Sequence, residues 1–297
     1  MPAQVKFVPE RQLIHIIAQV RSIKLCYEHC DYANTANFFM TESPFANHLL
    51  LAFCCIWMSI FTPVNAEEIE SLAVNDDAEI DILHIGEFGH TALIWFACNQ
   101  GEETAEFATA RNMVDLGYQT FFPDMLSAHF LSPTASNIGK VPVDEVVQVI
   151  QHIIEESDTK QLFLVAGARA AVPVLKGLAD TRVKAMPQLK GALLITPRIN
   201  KATPVPGSEP VYIDAIGHSR HPIRVLEGER TPNRWGLAHL KQSMSRSGSM
   251  VSTDLIKGVR GFFYLREDKT ADEEQATQDL HHLIDSNIQL IRAGNNE

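Results

Sequence analysis

The stretch Gln161-Leu162-Phe163-Leu164-Val165-Ala166-Gly167-Ala168-Arg169-Ala170-Ala171 decides how the rest of the chain is read. Its first five residues predict a strand. Residues 166–171 then crowd small side chains into a tight passage, from which a helix runs to about Ala179. Just upstream, Val143, Val146, Val147, Ile150, Ile153 and Ile154 follow the i, i+3, i+4, i+7 rule and predict a helix over 143–156. Further outward, strands are expected at 80–85, 91–97, 118–122, 191–195, 211–216, 223–226 and 259–264, with helices over 102–116 and 271–292. The aperiodic segment 125–141 reads as a surface excursion over one edge of the sheet. This alternation predicts an α/β domain over 79–297, with a mostly parallel central sheet flanked by helices. It follows an acidic linker at 67–78.

Strand, small-residue turn and helix at 164–171 resemble the nucleophile elbow of the α/β-hydrolase superfamily, and the resemblance covers about residues 79–292. The G-x-S-x-G turn of that family falls here on Ala166, Gly167, Ala168, Arg169 and Ala170. Ala168 therefore stands where the resemblance places a catalytic serine, and alanine has no atom that can attack a carbonyl. Cys98-Asn99-Gln100-Gly101 follows the buried strand where the family places its oxyanion-hole loop, and 117–124 is similar to the family's next helix-to-strand passage. The loop at 227–233 is similar to the one that carries the triad acid, yet the expected Asp position falls on Thr231. A histidine is expected after 264–268, but the next ones are His281 and His282, inside a helix. The resemblance thus implies a degenerate elbow at Gly167, Ala168 and Arg169, with no recognisable Ser-His-Asp triad. The same small-residue turn also suits a dinucleotide pyrophosphate, but one glycine stands where three are needed, and Thr196-Pro197-Arg198 offers no ribose-binding carboxylate.

Around the elbow, Cys98, Asn99, Gln100, Asp124 and His129 form the candidate pocket, with Arg169 at its mouth to pair a carboxylate or phosphate. The competing readings are a small core cysteine at Cys98, surface polar residues at Asp124 and His129, and an Arg169 bonded to Asp124 or to solvent. His218 and His221 lack a third ligand, and Cys26-x3-Cys30 lacks a second ligand pair, so no metal or cofactor is expected.

A net charge of −11 over 297 residues excludes a general nucleic-acid binder, which needs a basic face. The apolar run 49–61 is too short to favour a spanning helix and has the length of a signal-peptide core. Val64-Asn65-Ala66 follows it and places small or compact residues for a cut after Ala66. Residues 1–66 are accordingly expected to be an N-terminal extension, removed on export to the periplasm or outside. The alternatives are a buried helix or an uncleaved membrane anchor, because no Lys or Arg lies between Met40 and His48. Cys26, Cys30, Cys54 and Cys55 precede the cut and only Cys98 follows it, so the remaining chain has no internal disulfide. The expectation is an exported, catalytically inactive protein that binds a small anionic ligand or an envelope protein. The alternative is an active hydrolase of ester-like substrates whose nucleophile is displaced to Cys98 or a loop serine.

Overall fold

A computed structural model describes residues 67–294 except 76–77, 98–104 and 206. Its strands are β1 (Glu67–Asn75), β2 (Ala78–Ile85), β3 (Thr91–Phe96), β4 (Gln119–Pro123), β5 (Gln161–Gly167), β6 (Leu189–Ile195), β7 (Ile223–Gly228) and β8 (Val251–Ile256). The helices are α1 (Ala105–Val114), α2 (Ala135–Ile138), α3 (Val143–Glu156), α4 (Ala171–Ala179), α5 (Thr181–Lys184), α6 (Leu237–Met244), α7 (Ala271–Gln278) and α8 (Leu280–Gly294). The strands form one sheet in the order β1-β2-β4-β3-β5-β6-β7-β8. β2 runs antiparallel to both β1 and β4, and every other pairing is parallel.

Apolar packing covers both faces of this sheet. One core joins β3, β5 and β6 to α3 and α4 through Val146, Ile150, Val174 and Leu178. The other joins the opposite strand faces to α1 and α8 through Met113, Ile284 and Ile288. Leu162 to Ala166 are therefore fully buried, which accounts for an unbroken apolar run in place of an alternating one. Each inward Leu or Ile side chain in these layers contributes about 1.5–3 kcal/mol by leaving water.

The structure corrects several expected boundaries. The acidic segment at 67–78 is not a linker: it supplies β1, whose Glu67, Glu68 and Glu70 are exposed on an edge strand while Val74 turns inward. Charge on an edge strand discourages further strand addition, and that same charge made the segment read as a connector. Residues 211–216 make a single bridge, Asn200 to Tyr212, followed by a turn closed by Ile216 N–H on the Ile213 carbonyl. The last strand lies earlier than 259–264, at Val251-Ser252-Thr253-Asp254-Leu255-Ile256, a polar edge with little periodicity to betray it. Residues 263–265 form a 3₁₀ turn instead. The closing helix breaks at Asp279 into α7 and α8, and α7 opens on a capping box between Thr270 and Glu273. The excursion at 125–141 is only partly superficial, since Met125, Leu126, Ile138 and Val141 join the core.

Candidate functional site

At the end of β5 the backbone keeps the sharp geometry of an elbow. Ala168 lies at φ +49°, in the left-handed region that residues with a Cβ avoid. The turn is tight because Tyr264 closes on it: a Cβ added at Gly167 would sit 1.8 Å from the Tyr264 hydroxyl oxygen and 3.8 Å from Oε1 of the buried Glu106. Glycine is the residue that permits this approach. Ala168 itself is fully buried, and its carbonyl accepts a hydrogen bond from Arg198 N–H at 2.8 Å.

Two further residues with a Cβ adopt positive φ beside it, Thr196 (+45°) just past β6 and Phe262 (+58°) in the loop after β8. The Phe262 N–H donates to Thr196 Oγ1 at 3.3 Å, and the Thr196 N–H donates to the Leu226 carbonyl of β7 at 2.6 Å. Backbone of this kind costs about 1–3 kcal/mol per residue and persists only where surrounding packing holds it. Three such residues thus converge where β5, β6, β7 and β8 end.

The cavity at these strand ends measures about 620 Å³ and is lined by Arg169, Arg198, Lys201, Arg230, Arg260 and Arg266. Among the described residues the carboxylate in its lining is Glu227 and no histidine, serine or cysteine belongs to that lining; its hydroxyls come from Thr196, Thr203 and Thr231. The arginines are placed by a simple rule. Arg169, Arg198, Arg230 and Arg260 fall two, three, two and four residues beyond the last residues of β5, β6, β7 and β8. In an open α/β sheet the carboxyl ends of parallel strands are where ligands bind.

The lining cations are held differently. Arg260 donates to both oxygens of the buried Glu273, from Nε at 2.7 Å and Nη2 at 2.6 Å, and to Asp268 from Nη1 at 3.0 Å. This fork holds the Glu273 carboxyl well below the ordinary carboxylate range. Arg266 donates to Asp268 at 2.9 and 3.1 Å, and Lys201 pairs with Asp214 at 2.5 Å. Arg198 lies 4.0 Å over the Phe262 ring. Arg169 donates to two neutral acceptors, the carbonyls of Arg198 (3.1 Å) and Asn200 (2.8 Å), so among the described residues no carboxylate is hydrogen-bonded to its guanidinium. Arg230 is exposed, and among the described residues its side chain makes no hydrogen bond or ion pair. Burial pushes the Glu227 carboxyl up, against a hydrogen bond from Gly228 N–H at 2.9 Å and the charge of Arg198.

The residues expected at the site separate. Cys98, Asn99 and Gln100 lie outside the described residues. Gly167 and Ala168 lie at the sharp turn after β5, and Arg169 lines the cavity beside it, with its bonds going to the 198–200 loop and not to Asp124. Asp124 caps the turn Ser127–His129, accepting from Ser127 N–H at 2.9 Å, and faces a separate hollow shared with Asp81 and Arg111. His129 pairs with Glu145 of α3 at 2.7 Å. Neither lines the arginine cavity. Thr231, at the expected triad-acid position, donates its hydroxyl to the Gly228 carbonyl at 3.0 Å. His281 and His282 lie side by side on α8 and are absent from the lining. Among the described residues no cluster of His, Cys, Asp and Glu could hold a metal ion. Arg198, Lys201, Arg230, Glu227, Arg260 and Arg266 were not singled out from sequence. The signal was the recurrence of arginine just beyond consecutive strands, legible only once those strand ends are fixed.

No family model matches the chain, and no curated protein matches it in sequence. Solved structures do resemble it. An esterase from Pyrobaculum calidifontis superposes with a TM-score of 0.56 at 12% identity, covering 85% of this chain and 95% of that one. Carboxyl esterase 2 from the fungus Tuber melanosporum gives 0.54 at 13% identity over 74% and 86% of the two chains. A thermophilic esterase from the Planctomycetes species Thermogutta terrifontis gives 0.53 at 14% identity over 76% and 93%. The chain has the α/β-hydrolase fold, as the turn at 164–171 implied. At such low identity the likeness concerns architecture, and function has to be argued from the residues themselves.

Proposed function

We propose that this protein is a non-catalytic member of the α/β-hydrolase fold that binds a small anionic ligand in the cavity beside its degenerate elbow. The carrying observation is the lining of that cavity, five arginines and a lysine around the buried Glu227 in a chain whose net charge is −11. Arg260, Arg266 and Lys201 are paired with Glu273, Asp268 and Asp214, while among the described residues neither Arg169 nor Arg230 is hydrogen-bonded to a carboxylate. A cationic concavity on an acidic protein focuses its field on anions. Hydrolysis needs a nucleophile with a base in reach. Ala168 offers no nucleophile, and among the described residues the lining supplies no histidine to act as base. The signal-like run 49–61 with Val64-Asn65-Ala66 supports placing this binding outside the cytoplasm.

The test is titration calorimetry and thermal shift with sulfate and inorganic pyrophosphate. Sulfate raises the melting temperature, and Arg230→Ala weakens binding about tenfold or more, the scale of a lost hydrogen bond to a charged group. Arg230 is the informative position because Arg169 also ties down the 198–200 loop, so its loss would disturb the site's shape as well as its charge. Absence of any shift with either anion, or an Arg230→Ala protein that binds sulfate as well as the parent, overturns the reading.

A further inference from the structure

The arginine cavity is not isolated. A second cavity of about 750 Å³ adjoins it, and the two share Asn200, Pro204, Glu227, Pro232 and Asn233 as walls. Its character is different. Tyr212, Trp235, His239, Ile199, Leu237 and Leu240 line it, with prolines between them. Tyr212 stacks on His239 with ring centroids 5.4 Å apart. Trp235 is 77% exposed, which is unusual for the largest apolar side chain, and Val205 on the same wall is 66% exposed. Exposed apolar surface gathered at one concavity marks a binding surface.

Trp235 is also held in place. It belongs to the 3₁₀ turn Pro232–Gly236, and the Arg234 guanidinium lies 4.1 Å over its ring while donating to the Glu229 carbonyl at 2.9 Å. With Arg234 on one face and most of its surface open, the other face is available for stacking. Arg230 and Trp235 sit on the same short connection after β7, so a cation and an aromatic platform are fixed relative to one another by five residues of chain.

We infer that the ligand has two parts, an anionic group seated among the arginines and a planar ring stacked at Trp235 and Tyr212. This rests on the anion-binding reading above and narrows it to ring-bearing anions such as aryl phosphates. Alkyl anions of equal charge would fill the cationic half and leave the aromatic half in water. A ring is favoured over a flexible chain because stacking on a fixed aromatic or proline wall orders few torsions.

The experiment compares phenyl phosphate with methyl phosphate, which matches its charge and lacks the ring, with sulfate as the ring-free reference. Phenyl phosphate binds about tenfold tighter than methyl phosphate and changes the tryptophan fluorescence. Trp235→Ala removes both the advantage and the fluorescence change, and leaves sulfate and methyl phosphate affinities as they were. Because Trp235 is exposed, this variant folds. Equal affinity for the two phosphates, or an advantage that survives in Trp235→Ala, overturns the two-part ligand while leaving anion binding intact. Failure of sulfate and both phosphates to bind overturns the anion reading and this one with it.

Discussion

The elbow and the loops facing it differ in opposite ways. At the elbow the backbone turns sharply, with positive φ at Ala168 and Tyr264 pressed against Gly167, but Ala168 carries no nucleophilic atom. Across the cavity, in the loops after β6, β7 and β8, the expected triad groups are missing, yet the side chains carry most of the site's charge. Packing holds the main-chain geometry at the elbow: between β5 and α4, Ala168 and Ala170 are buried and only Arg169 reaches the cavity. The loops, freer to change, hold the chemistry.

The largest effect expected from breaking this contrast lies at the elbow. Gly167→Ala drives a methyl group into the Tyr264 hydroxyl, which is buried and cannot swing aside. The expected cost is about 3 kcal/mol, the upper part of the range for overpacking, or a fall in melting temperature of about 6–12 °C. Adding Tyr264→Phe removes the overlapping oxygen but leaves ring carbon Cζ at 3.1 Å from the new Cβ, so the double variant recovers about half of the loss. If Gly167→Ala melts like the parent, the elbow is not rigid and the contrast fails.

A smaller effect sharpens the loop side. Burial raises the Glu227 carboxyl pKa, so its charge appears at higher pH than for an exposed glutamate. In the folded state the ionised form is the disfavoured one, and its cost to stability sets in as pH rises above the ordinary carboxylate range. Protonation also removes the cavity's own negative charge. Sulfate remains dianionic throughout this window, so its affinity should rise as pH falls through the raised Glu227 value, by about tenfold for each pKa unit of coupling. Glu227→Gln should bind sulfate more tightly at neutral pH and flatten the profile. An unchanged pH slope in that variant would show that Glu227 does not oppose the ligand.

The smallest effect expected is none. Ala168→Ser introduces a hydroxyl into a fully buried position, with no histidine among the described residues of the neighbouring cavity lining. Neither the parent nor this variant should react with fluorophosphonate probes or hydrolyse activated esters. Stoichiometric labelling of either at a single serine would establish a working nucleophile and reverse the assignment.

The sequence carried the fold where burial imposes a pattern. Helix α3 was legible to the residue, because its apolar positions recur at helical spacing against the core, and β3 and β5 because burial on both faces keeps them apolar. Edges were hidden by the same logic. β1 is acidic and β8 is polar because one side of each faces solvent, so neither shows a core pattern. The site was half legible. Ala168 stood out because local sterics define an elbow within a few residues, whereas the arginine cavity gathers residues from 169 to 266 that meet only through sheet topology. Asp124 and His129 were expected to converge from nearness in sequence, and each found a local partner instead.

The burial of Ala168 also bears on how this lineage can change. Alanine and serine codons differ by a single base, so the hydroxyl itself is always one mutation away. Sealed beneath the surface, and with no histidine among the described residues of the neighbouring cavity lining, that hydroxyl alone would confer no turnover for selection to act on. Hydrolysis at this turn would require a base within reach and an opened path to residue 168 to arise together with the serine. The elbow is therefore a place where chemistry can be reached only by several coordinated steps, while the arginines around it can be tuned one at a time.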